Sequence, residues 1–121
     1  MVVHEISTQA EMNDYLSSNP LVLVHFTSKY SDESVRCEPV LSAWSKKVQY
    51  KEIKFVKCDC SKKTDRFEKY LIKTIPTFLF FTNGQKTAVV LDVQLNLLQQ
   101  TIDEQLNCKL LVWLFSLDEL I

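Results

Sequence analysis

Leu21-Val22-Leu23-Val24-His25-Phe26-Thr27, followed by Ser28-Lys29-Tyr30-Ser31-Asp32-Glu33-Ser34, is the stretch that decides the fold. Its first half is almost continuously apolar, which suits a strand covered on both faces and therefore the middle of a sheet. Its second half is a short polar loop that ends in a helix start. Ser31 has the properties of an N-cap, and Asp32 and Glu33 place two carboxylates in the first turn, where they complement the positive end of the helix dipole. Beyond it Val35, Val40, Leu41, Trp44 and Val48 recur close to helical spacing, which predicts a helix over 32–48 with Pro39 inside, where a proline kinks it.

Upstream, Val2 to Ile6 reads as a short strand, and Ser7 or Thr8 with Glu11 reads as the cap of a helix from Gln9 to Leu16, closed by Asn19-Pro20. Downstream, Ile53 to Asp59 alternates as a strand and Thr64 to Tyr70 suits a short helix. Thr77 to Thr82 and Thr87 to Asp92 flank Asn83-Gly84, a strong short hairpin signal, and Gly84 is the single glycine of the chain. Leu95, Leu98, Ile102 and Leu106 then form the apolar stripe of a last helix. A β-α-β start with a hairpin-and-helix finish predicts an α/β sandwich: a central mixed sheet of about five strands with about four helices on its two faces. With 121 residues, 46% of them hydrophobic and 24% charged, one domain is expected. It occupies 1–106, and 107–121 is an apolar C-terminal extension.

The apolar strand, the capped helix with Pro39, the segment Thr74-Ile75-Pro76-Thr77-Phe78 and the Asn83-Gly84-Gln85-Lys86 turn together resemble the thioredoxin family across roughly residues 1–106. The resemblance implies the thioredoxin fold, a three-layer sandwich. It also exposes a gap, because the family's Trp-Cys-Gly-Pro-Cys is replaced here by Tyr30-Ser31-Asp32-Glu33-Ser34. In the family the first cysteine sits at the helix N-terminus, whose field stabilises a thiolate. Ser31 and Ser34 stand at the two cysteine positions, and a hydroxyl neither forms a disulfide nor ionises usefully without a general base. A redox-inactive binding or scaffold domain is therefore expected, with no catalytic residue and no cofactor.

The resemblance also places the surroundings. His25 matches the family's buried acid and Lys57 the lysine that partners it, so the proton relay of the family is dismantled. A serine-based activity at Ser31 or Ser34 would need His25 as base, but no third group to orient the ring is evident, and a core histidine is the plainer reading. Cys37, three residues past Ser34, is the rival nucleophile: a thiol-disulfide oxidoreductase acting through Cys37 or a partner's thiol is the alternative function. Its place deeper in the helix argues for a buried, inert thiol. Ile75-Pro76 resembles the family's cis-proline segment, which offers backbone groups to extended peptides. Tyr30 and Asp92 stand in for the tryptophan and glycine lining the same groove, giving it a more acidic rim. A protein or peptide partner is thus implied.

Charge narrows the remaining classes. Residues 46–73 hold ten Lys or Arg against four acids, a net +6, while the remainder holds four against eleven, a net −7. The basic stretch lacks aromatic or glycine interleaving, so nucleic acid is not the expected partner. The four cysteines, Cys37, Cys58, Cys60 and Cys108, form no export-type framework. Cys58 and Cys60 share one strand face and are expected to pack in the core, and no metal set is completed. The N-terminus shows no secretory pattern, so a reducing, cytoplasmic compartment is expected, with the nucleus left open. The run Leu110-Leu111-Val112-Trp113-Leu114-Phe115 is far too short to cross a bilayer. It either lengthens the last helix or presents Leu110, Trp113 and Phe115 to a partner or second copy, making a homodimer through the tail the expectation to test.

Overall fold

In a computed structural model, which describes residues 3–61, 70 and 72–120 and their side chains through Asn107, a five-stranded sheet carries helices on both faces. The elements in chain order are β1 (His4–Ile6), α1 (Gln9–Ser18), β2 (Leu21–Thr27), α2 (Asp32–Ser45), a single 3₁₀ turn (Val48–Tyr50), β3 (Lys54–Asp59), β4 (Thr77–Thr82), β5 (Gln85–Leu91) and α3 (Leu95–Leu120). The strand order is β1-β3-β2-β4-β5. β1, β3 and β2 are parallel, whereas β4 and β5 run antiparallel to their neighbours, so the sheet is mixed.

All seven residues of β2 are buried, as a strand between two covered faces requires. Alternation of side chains divides the interior in two. Leu21, Leu23, Phe55, Phe78 and Phe80 meet Cys37, Leu41 and Trp44 of α2 and Leu98 and Ile102 of α3. On the other face Val22, Val24, Phe26, Val56, Cys58, Leu79 and Phe81 meet Met12 of α1. Each large side chain buried this way contributes about 1.5 to 3 kcal/mol.

The hairpin forms at Asn83-Gly84 with positive φ at both residues, 51° and 83°, the pattern of a type I′ turn. Thr8 caps α1 by accepting the Glu11 N–H at 3.1 Å, and the Glu11 carboxylate accepts from both Thr8 and Ser7 hydroxyls. α2 departs from expectation at its far end. It stops at Ser45, and Val48, expected on the buried stripe, is 81% exposed. The cause is Tyr50: the chain leaves the helix into the 3₁₀ turn and buries that ring instead, its hydroxyl donating to Asp103 at 3.1 Å. α3 continues unbroken across 106–107 for 26 residues, about 39 Å at 1.5 Å per residue. The helix expected at Thr64 to Tyr70 falls mainly on residues outside those described. The side chains of Leu110, Trp113 and Phe115 also lie outside the described residues.

Candidate functional site

The loop that leaves β2 delivers Ser31 to the start of α2 with extended dihedrals, and its Oγ accepts the Ser34 N–H at 3.2 Å. Ser31 is thus the cap that its sequence context suggests, with Asp32 and Glu33 exposed in the first turn. Ser34 has the opposite fate. It is completely buried, and its hydroxyl donates to Thr27 Oγ1 at 2.5 Å. His25 Nε2 lies 3.1 Å from the same oxygen. With the Ser34 proton directed at Thr27, the remaining role for Ser34 Oγ is to accept from His25 Nε2–H, which fixes the tautomer. His25 Nδ1 is then left without a partner among the described residues. The core histidine expected from sequence is therefore only half satisfied.

β3 and β4 frame that ring. In the sheet register His25 sits between Lys57 and Phe78, and its ring stacks on Phe78 at 4.6 Å between centroids. Burial first, and the Lys57 charge second, hold the imidazole down to a pKa of about 3, so it is neutral at any physiological pH. Lys57 has its own counter-ion, Glu38 on α2 at 3.1 Å, with both side chains about one-third exposed. A neutral ring that donates to a buried, proton-directed hydroxyl is not arranged as the base of a serine nucleophile.

The thiols are separated by the sheet. Cys37, on α2, is fully buried in the core between that helix and the sheet, its Sγ donating to the Glu33 carbonyl at 3.4 Å. Burial, then the charges of Glu33 and Glu38, push this thiol up. Cys58 and Cys60 pack on the opposite face, together as their spacing implies. Cys60 is nonetheless closer to the site than the sequence suggested, because its N–H donates to the Thr27 carbonyl at 2.7 Å at the end of β3. It is half-buried, and burial followed by Asp59 pushes its thiol up to about 11.

Across the same end of the sheet the Ile75-Pro76 peptide is cis. The Pro76 carbonyl accepts the Asp92 N–H at 3.0 Å, bringing two of the four groove residues together. Asp92 adopts φ 62°, a left-handed conformation that a glycine takes without cost and an aspartate tolerates. Tyr30 is 77% exposed on the loop before α2, with the Lys29 ammonium 5.2 Å from its ring centroid. Three residues that matter here carry no sequence signal of their own: Thr27, which takes the Ser34 proton; Glu38, which takes the Lys57 charge; and Cys60. Among the described residues no cluster of metal-ligating side chains forms, and no helix is long and apolar enough to cross a membrane.

Known proteins close the comparison. The family model described as Thioredoxin matches residues 3–104. Thioredoxin 1 of Plasmodium falciparum is 29% identical over 103 residues, covering 85% of this chain and 97% of its own. Thioredoxin domain-containing protein 6 of Homo sapiens is 36% identical over 107 residues, 86% of this chain but 31% of its own length. The chain likewise spans only 49% of Thioredoxin-2 of Pyricularia oryzae, to which it is 30% identical. Among solved structures, Plasmodium falciparum thioredoxin superposes with a TM-score of 0.78 at 29% identity, over 84% of this chain and 98% of that one. The match of the family model over most of the chain, on a mixed sheet with a cis-proline beside its helix start, makes this chain a member of the thioredoxin family.

Proposed function

We propose that the chain is a thioredoxin-family binding domain that does not carry out disulfide exchange. The observation that carries this reading is the state of Ser34: zero exposure, a proton committed to Thr27, and an oxygen committed to a neutral His25. Exchange requires a thiolate at this place to attack and a second thiol to resolve. Ser31 and Ser34 supply neither. The relay that would serve the second thiol is absent as well, since Lys57 is neutralised by Glu38 and the ring at position 25 carries no charge.

What remains is a surface. Tyr30, the Ile75-Pro76 segment and Asp92 occupy the same end of the sheet, and Asp32, Glu33 and Asp92 are all exposed around it. An extended peptide with cationic side chains fits that acidic rim. The C-terminal run Leu110 to Phe115 gives a second contact, with Trp113 as its anchor and a second copy as the simplest partner. A reducing compartment suits the thiols of Cys37 and Cys60, which form no disulfide among the described residues.

The rival is a one-thiol oxidoreductase, and the relatives named thioredoxin keep it in play. Cys60 is its best candidate by position, yet a thiol held near 11 is thiolate in only about one molecule in ten thousand at pH 7. Restoring the cysteines separates the two accounts. Ser31→Cys with Ser34→Cys should form a disulfide on the retained helix start, while reductase activity stays far below that of an ordinary thioredoxin. Asp32 and Glu33 oppose a thiolate there, and no acid replaces His25. Full thioredoxin-like turnover of the double variant would contradict that account of Asp32, Glu33 and His25.

A further inference from the structure

The end of the sheet remote from Ser31 gathers a second concentration of chemistry. β2 and β3 are parallel, so their first residues, Leu21 and Lys54, open the end opposite the loop that carries Ser31. α2, 14 residues and about 21 Å long, finishes at that same end. There the chain between Ser45 and Phe55 encloses a cleft of about 330 Å³ lined by Lys46, Lys47, Lys51 and Lys54, with Glu52 as its one acid. Among the described residues none of these four lysines is in an ion pair, the Lys57–Glu38 bridge lying elsewhere. Lys54 is half-buried with its ammonium 5.8 Å from the Tyr15 ring centroid, and its charge, after burial, also lowers the pKa of His4.

Four like charges in nine residues repel one another and concentrate anions from solution. The lining selects among anions. It contains no arginine, so the planar fork that grips phosphate in two places is missing. Phe55, its one aromatic, is 3% exposed and offers no face to a nucleobase. What it offers is Val48, an aliphatic side chain 81% exposed between the lysines. A second cleft, lined by Asn13, Ser17, Asn19 and Asn83 among others, shares Asn19 with the first.

We propose that this end of the domain docks an acidic segment of a partner protein, with its carboxylates on Lys46, Lys47 and Lys51 and an apolar side chain between them on Val48. The site is independent of the Tyr30 groove and lies at the opposite pole.

The test titrates the full chain with a labelled peptide of five residues, a leucine flanked on each side by two acidic residues, and follows backbone amide shifts. Shifts should concentrate between Ser45 and Phe55, and affinity should fall steeply as salt rises from about 50 to 300 mM. Lys47→Glu with Lys51→Glu should weaken binding at least tenfold at unchanged melting temperature, since both side chains are exposed. Lys47→Ser with Lys51→Ser serves if the reversal perturbs folding. Replacing the peptide's leucine by serine should weaken binding several-fold. Shifts centred on Tyr30 or Asp92, indifference to the lysine variants, or a DNA oligonucleotide binding as tightly as the peptide would each overturn the proposal. So would self-association lost in the lysine variants, which would make a second copy the occupant.

Discussion

At the centre of the sheet His25 is stacked on Phe78, bonded to Ser34 through Nε2 and, among the described residues, unpartnered at Nδ1. Folding holds its pKa near 3, against 6.5 in the unfolded chain. The unfolded state therefore takes up a proton as pH drops below 6.5 while the folded state does not. Stability supplied by the neutral ring is fully present above 6.5 and is lost progressively down to about pH 3. Between pH 6.5 and 5, where few carboxylates titrate, the loss should be about 2 kcal/mol. Denaturant unfolding at the two pH values measures it, with His25→Gln as the control expected to flatten the slope. An equal slope in that variant would place the acid sensitivity elsewhere. Little of this was readable beforehand. The identity of position 25 and its burial follow from the apolar strand, but the proton direction depends on Thr27, whose hydroxyl reaches Ser34 only because β2 and α2 pack side by side.

The turn from β5 into α3 stores strain at a single residue. Asp92 holds φ 62° while its N–H is bonded to the Pro76 carbonyl, so the backbone cannot relax to a more ordinary conformation without breaking that bond. Asp92→Gly should raise stability by about 1 kcal/mol by removing the left-handed penalty. A thermal melt checks it: an unchanged or lowered melting temperature would show that the aspartate side chain compensates. At this scale the sequence was most informative where one residue type dictates backbone geometry. Asn83-Gly84 and the Ser31 cap lie where their chemistry puts them. It was least informative at the end of α2, where Val48 and Tyr50 compete for one buried place and helical periodicity favours the residue that loses. Glu38 was equally hidden, because its partner Lys57 is on a different element.

Among the described residues the acids Asp32, Glu33 and Asp92 are exposed at the Ser31 end, Lys46, Lys47, Lys51 and Lys54 line a cleft at the opposite end, and α3 runs on through the C-terminal extension. If the run Leu110 to Phe115 is an interface, sedimentation of the full chain should show a dimer or larger species that a chain ended at Asn107 does not form. Two monomers of equal solubility and stability would return the extension to a passive role. At the other end a thioredoxin frame holds two serines that are committed to structure. Insulin reduction by the unaltered chain, with dithiothreitol as reductant and an authentic thioredoxin alongside, tests what that arrangement leaves. The rate should equal the background without protein, and Cys37→Ser and Cys60→Ser should leave it there. Turnover above background that disappears in either variant would contradict the account.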